Sequence, residues 1–340
     1  MTWSSQLKKL IPETTLISSA ALAVAGRGAT IFMFHRVLRS SEACYDAEMV
    51  TSADLFHDFM QWLSQEYDIV PLAEITTRLR SGRPLRRLCS LTFDDGWMDN
   101  YTTAFPLLRQ FGVSATIFLA SAFIGTTRRL WQEKLWYLLR SVPMDSFSEF
   151  VQNWQAQNEI VDYAPATSNF TAWRKFLMRL ASQRAEDFVA NLQAITPAKA
   201  VPPEPVFMNW DQVREMRQAE IEFGAHTVNH VLLPAAEAVA VQAEIEQSRS
   251  EIERQINHRI AGFAYPWGAL TPAVRESVSR AGFEYAAGVQ PGLVRPKSDP
   301  FLLPRIAISD SVLRYGNTFS STHTAVYVAV KSLSRGTSEY

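Results

Sequence analysis

Short apolar, β-branched runs alternate with amphipathic stretches along most of the chain, and this alternation limits the fold more than any other feature. Residues 29–34 (Ala-Thr-Ile-Phe-Met-Phe) read as a buried strand ending at His35-Arg36. Over 53–67, Leu55, Phe59, Trp62 and Leu63 recur at helical spacing behind Ser52. A short strand over 68–70 and a helix over 72–80 lead to a strand at 88–93, which runs into Asp94-Asp95-Gly96. A helix over 97–110 and a strand over 115–119 continue the pattern. Later come a helix near 210–219, a strand at 221–225, a long helix ending near Ile256 and a strand at 262–265. A helix at 271–280, a strand at 285–289 and an extended piece at 302–308 complete it. Strands separated by helices build βαβ units and hence a parallel sheet. Seven or eight such strands fit a closed or nearly closed barrel better than an open doubly wound sheet.

Residues 126–205 break the alternation. They carry helical patterns (Trp131, Leu135, Leu138, Leu139; Trp173, Phe176, Leu177, Leu180) and end in Pro202-Pro203-Glu204-Pro205. They read as a helical insertion between two barrel strands, rejoined by a proline-rich linker. Its tryptophans either line a glycan groove or, more commonly for aromatics, form the insertion's own small core. The expected organisation is an N-terminal segment over 1–28, a barrel over 29–310 and a C-terminal tail over 311–340. Residues 14–25 are weakly apolar, behind Lys8 and Lys9, and Ala23-Val24-Ala25 resembles a cleavage site. Glu13 and two serines dilute that stretch, which falls short of a membrane span. An N-terminal helix packed on the barrel is favoured over an export signal or anchor, and a cytoplasmic or membrane-peripheral location over an exported one.

Charge excludes some partners. With 33 Lys and Arg against 34 Asp and Glu, no bulk electrostatic pull draws the chain to nucleic acid. Two cysteines, Cys44 and Cys89, are too few for a disulfide scaffold or a thiolate metal site. No obligate protein partner is expected.

Parallel α/β barrels carry their working residues at the C-terminal ends of strands. By that rule His35, Asp94-Asp95, His226, Tyr265-Pro266-Trp267-Gly268 and Arg305 gather at one mouth. Adjacent carboxylates at a strand end point apart, so one can hold a metal while the other serves as general base. Asp-Asp-Gly alone is more often a solvated turn. His226-Thr-Val-Asn-His230 sets two imidazoles four apart, on one face of a helical turn, a spacing able to chelate one divalent ion. A carboxylate and two histidines suit Zn²⁺ or a similar ion, with positions left open for water. His57, His258 and His323 read as surface residues.

Thr92-Phe93-Asp94-Asp95-Gly96, His226–His230 and Phe263-Ala264-Tyr265-Pro266-Trp267-Gly268 occur in the order of three motifs of one family. In these motifs the chain resembles the polysaccharide deacetylases, chitooligosaccharide deacetylase-like carbohydrate esterases. The resemblance spans roughly residues 35–308 and implies a distorted (β/α) barrel. It also implies a divalent metal (zinc, with cobalt or nickel as alternatives) held by Asp95, His226 and His230, with Asp94 as base. The backbone N–H of Trp267 would stabilise the oxyanion, with Tyr265 and Arg305 as further oxyanion or substrate candidates. Two departures stand out. The arginine that usually opens the third motif is Ala264, and the late catalytic histidine is missing from Leu303-Pro304-Arg305-Ile306. In this the chain is similar to poly-N-acetylglucosamine deacetylases, whose acid lies near the N-terminus. His35 in Phe34-His35-Arg36-Val37 fits that role, and Arg305 is the candidate to replace the missing arginine beside Asp94. The implied reaction removes N-acetyl groups from amino sugars of a surface glycan, free or lipid-linked. An O-acetyl glycan esterase with the same metal site is the near alternative. A non-catalytic glycan-binding barrel is disfavoured, because both aspartates and both histidines are present together.

Overall fold

The computed structural model describes residues 15–39, 44–158, 165, 168–180, 182–197, 199–316 and 318–333. Its centre is a parallel sheet. In chain order come β1 (Thr30–Phe34), β2 (Arg36–Leu38) and β3 (Val50–Ser52), the last two paired only with each other outside that sheet, then β4 (Asp68–Ile69), β5 (Leu88–Asp95) and β6 (Thr116–Leu119). They continue as β7 (Glu222–Ala225), β8 (Gly262–Ala264), β9 (Tyr285–Ala287) and β10 (Ile306–Ala307). The sheet order is β10-β1-β5-β6-β7-β8-β9, with β4 paired to the start of β5. Every pairing in this sheet is parallel.

The sheet curls on itself. Leu303 bridges to Ala287 of β9, while Ile306, three residues on, pairs with Phe32 of β1. One short segment therefore spans the two edges, giving the distorted (β/α) barrel expected from the alternation. β1 and β5 are buried along their whole lengths, as strands covered on both faces must be. That explains their unbroken apolar runs.

Helices α1 (Thr15–Ala25), α2 (Ala53–Glu66), α3 (Leu72–Ser81) and α4 (Phe105–Phe111) precede the interruption. α2 buries Leu55, Phe56, Phe59, Met60, Trp62 and Leu63, the stripe its helical period predicts. Phe59 and Phe56 meet Phe32 and Phe34 of β1 edge-on, each pair at 5.3 Å. The helix expected over 97–110 is not continuous. Residues 100–104 form one wide π turn before α4, a feature often found at functional sites.

Residues 127–205, with 235–237, form a separate compact unit. Its helices are α5 (Trp131–Ser141), α6 (Met144–Gln157), α7 (Phe170–Met178) and α8 (Ser182–Ala194). They enclose their own core, in which Trp173 and Phe188 stack at 4.9 Å and Trp154 packs edge-on against Phe188. Trp154 and Trp173 are thus core residues of this unit.

The barrel unit resumes with α9 (Trp210–Gln218), α10 (Ala238–Ile256), α11 (Pro272–Arg280) and α12 (Ser321–Leu333). Asn209 and Gln212 form a reciprocal capping box that starts α9. α12, in a segment whose pattern assigned no element, packs against α1. His323 lies on it and is buried, contrary to the surface position expected of it. Its Nδ1 meets Ser320 Oγ at 2.5 Å and its ring stacks on Tyr315. Lys8, Lys9 and Glu13 lie outside the described residues. Among the described residues no helix is long and apolar enough to cross a membrane.

Gly224 of β7 shows how tightly the sheet is packed beneath His226. A Cβ there would sit 2.6 Å from the Phe118 ring and 2.8 Å from the Gly262 carbonyl oxygen. Gly224→Ala is expected to destabilise the fold by about 1–3 kcal/mol, the usual cost of overpacking, read as a lower denaturation midpoint.

Candidate metal and catalytic site

β5 ends in two carboxylates, neighbours on a strand and so directed apart, and the backbone turns left-handed there. Asp95 has φ 75° and Gly96 φ 86°. A non-glycine residue in that region is held there only by its surroundings. Trp97 Nε1 donates to Asp95 Oδ2 at 2.8 Å, and the Ala120 N–H donates to the Asp95 carbonyl oxygen. Asp94 points the other way. Arg305, fully buried, grips it with two bonds, Nη1 to Oδ1 at 2.7 Å and Nη2 to Oδ2 at 2.8 Å. Arg305 Nε donates to the Gly288 carbonyl and its Nη1 also reaches Thr92 Oγ1. Fully buried and bonded to these partners, Arg305 is a support for Asp94.

His226 and His230 flank Asp95. Their Nε2 atoms lie 3.5 and 3.3 Å from Asp95 Oδ1. The two rings meet edge-on at 4.9 Å, and the ring of half-buried Trp267 lies 5.1 Å from that of His230. The segment joining the two histidines is not the helical turn expected from their spacing. It is a loop in which Thr227 and His230 have φ 65° and 55°. Glu244 of α10 holds that loop, accepting from the Val228 and Asn229 N–H groups and from the Asn229 side-chain amide. The Ser121 and Ala122 N–H groups bond its carbonyls at Thr227 and Val228. The loop brings the imidazoles together by backbone conformation, with no helical period.

His35 follows β1, half-buried, and its backbone is fixed from the segment after β5. Asn100 donates its amide to the His35 carbonyl, and Asp99 accepts from the Val37 N–H and from Arg36. His35 lies near enough to both aspartates for its charge to act on them. Tyr265 is placed differently from expectation. Its side chain is buried and its hydroxyl donates to the Phe301 carbonyl, so it has no hydroxyl to offer a substrate.

Burial pushes the Asp94 carboxyl up, but the Arg305 guanidinium more than reverses this and holds it below the ordinary carboxylate value. Asp95 is likewise held well down against its burial, chiefly by His230. Both are therefore ionised at neutral pH. Burial, only partly offset by the aspartates, pushes His226 down to about 4.

The donor set fits a divalent cation. His226 Nδ1 pairs with the Ala264 carbonyl oxygen at 2.7 Å and must be the protonated nitrogen, which leaves the Nε2 lone pair facing Asp95. Asp95 Oδ1 is buried and accepts no hydrogen bond. One ligand atom from each of Asp95, His226 and His230 lies within 4.8 Å of the others. Electron-rich atoms gathered in a buried place call for a positive charge among them.

Trp97, Asp99, Asn100 and Glu244 were not singled out by sequence. The first three follow Asp94-Asp95 at once, and that closeness was the one available signal. Glu244 stands 14 residues beyond His230 and carried none.

A profile described as "Polysaccharide deacetylase" matches residues 81–286. That stretch includes Asp94, Asp95, His226 and His230 but neither His35 nor Arg305. The putative polysaccharide deacetylase YxkH of Bacillus subtilis (strain 168) is 19% identical over 256 residues, covering 75% of this chain and 64% of that protein. The chain thus spans less than two thirds of that relative. Among solved structures, Streptococcus pyogenes deacetylase PplD in complex with acetate aligns at TM-score 0.56 and 18% identity, over 84% of this chain and 94% of that one. IcaB from Ammonifex degensii aligns at 0.57 and 18%, over 89% and 97%. A de-N-acetylase from Aggregatibacter actinomycetemcomitans aligns at 0.55 and 18%, over 87% and 99%. At these identities the likeness is one of fold.

Two expectations follow from the geometry. Arg305→Leu strands a buried carboxylate and should cost about 3–5 kcal/mol of stability, while Arg305→Leu with Asp94→Leu should recover much of it; chemical denaturation measures both. Between the ordinary histidine value of 6.5 and about 4, the unfolded chain takes up a proton at His226 that the folded chain refuses. Stability of the metal-free protein should therefore fall as pH drops through that window, and less steeply in His226→Gln, as thermal melts would record.

Proposed function

Since the chain belongs to the polysaccharide deacetylase family, we propose that it hydrolyses N-acetyl groups on the amino sugars of a glycan, using a divalent metal. The observation that carries this reading is the buried cluster of Asp95, His226 and His230 beside a second, separately anchored carboxylate, Asp94. Two carboxylates in one site with different partners are suited to different tasks.

In this reading Asp95, His226 and His230 hold the cation, and zinc is an ion that two imidazoles and a carboxylate suit. The bound ion supplies Lewis acidity, which polarises an acetyl carbonyl and eases the deprotonation of water near neutral pH. Asp94 accepts that water's proton on a lone pair left over by Arg305. The arginine keeps the carboxylate charged and fixes its orientation. The hydroxide oxygen bonds to the acetyl carbon, and the Trp267 N–H donates to the carbonyl oxygen as negative charge grows there. His35 gives its proton to the departing nitrogen as the C–N bond breaks, releasing acetate and a free amine. Asn100 and Asp99, by bonding the His35 carbonyl and the Val37 N–H that follows it, hold the backbone of His35 for that transfer.

The test is acetate release from N-acetylglucosamine oligomers by protein that has been stripped of metal and then reloaded. Release should require metal and vanish in Asp94→Asn and His226→Ala. His35→Ala should retain metal and lose roughly 10²–10⁴-fold in turnover, the usual share of a general acid. Near-normal turnover in His35→Ala would remove His35 from the mechanism. Metal-independent release would overturn the reading as a whole.

A further inference from the structure

We propose that Trp97 is a positioning residue of the metal site, whose indole N–H ties down one oxygen of Asp95 so that the other alone faces the two histidines. This rests on the metal reading above. An aspartate has two equivalent oxygens and, left to itself, can turn both toward a cation. Here the two are made different. Oδ2 accepts the Trp97 Nε1–H at 2.8 Å, whereas Oδ1 accepts no hydrogen bond and lies 3.3 and 3.5 Å from the two Nε2 atoms.

The donor is itself held from several sides. Trp97 is fully buried, stacked on Phe207 at 4.5 Å with 23° between the rings, and bridged to it through the backbone. The Arg36 guanidinium covers the indole, 4.5 Å from the ring centroid, and Asp99 in turn binds Arg36. A donor fixed in this way costs no reorganisation when a cation arrives. By keeping Asp95 to one oxygen it leaves coordination positions open for water and substrate. Partners of this kind commonly contribute ten- to hundredfold to metal affinity.

The test uses the full chain, stripped of metal and titrated with Co²⁺ alone, reading affinity by competition and coordination by visible absorption. Trp97→Phe should bind Co²⁺ about 10–100-fold more weakly than the wild type. Its visible bands should also weaken as Oδ2 joins the metal and coordination number rises. Phe207→Leu disturbs the packing under the indole but keeps the N–H, and should melt earlier with unchanged Co²⁺ affinity. If Trp97→Phe does not fold, benzothienylalanine at position 97 keeps both rings without the N–H and should show the same weakening. Wild-type affinity and spectrum in the variant lacking the N–H would overturn the proposal. So would a loss in Phe207→Leu as large as that in Trp97→Phe, because packing would then be the cause. A wild-type chain that binds no Co²⁺ would instead overturn the metal reading itself.

Discussion

The site depends first on the buried pair of Arg305 and Asp94. Neither charge is affordable in the interior alone, and removing one partner leaves the other unsolvated. Paired through two parallel bonds, they satisfy each other with the geometry for which guanidinium and carboxylate are matched. The pair also joins distant parts of the chain. Arg305 lies just before β10, in the segment that spans the two edges of the curled sheet, and Asp94 lies at the end of β5. The residue that keeps the proposed base ionised thus sits in the segment that closes the sheet.

A second constraint is conformational. Asp95, Thr227, His230 and Trp267 all have φ between 55° and 75°. Non-glycine residues rarely adopt this region, and where they do the surroundings overdetermine them. Those surroundings can be named. Trp97 and Ala120 hold Asp95, while Glu244, Ser121 and Ala122 hold the loop between the histidines. Four of these supports lie on the loops that follow β5 and β6, and Glu244 lies on α10. Of the three proposed ligands, Asp95 ends a strand and the two histidines are loop residues with rigid supports, a way of obtaining precision without regular structure.

Much of this was legible in the sequence, for physical reasons. Fully buried parallel strands must be apolar throughout, so β1 and β5 announced themselves. Working residues at strand ends followed from barrel geometry, which pointed to His35, Asp94, Asp95, His226 and Arg305. Local conformation was harder. A spacing of four between histidines is the same in a helix and in a loop, and only the left-handed φ at Thr227 and His230 distinguishes them. Side-chain direction was also hidden. Tyr265 sits in the expected motif, yet its hydroxyl turns to Phe301. His323 looked like a tail residue because nothing in its neighbourhood declared that α12 would pack on α1. Glu244 and Trp97 act through contacts whose geometry no residue spacing encodes.

The claim on which the account turns is that Asp95, His226 and His230 together bind one divalent ion. Anomalous diffraction at the zinc absorption edge, from crystals grown with Zn²⁺, measures it most directly. A peak is expected at roughly 2.0–2.2 Å from Asp95 Oδ1 and from Nε2 of both histidines. An empty cluster, in crystals of protein that releases acetate in the same buffer, would contradict it.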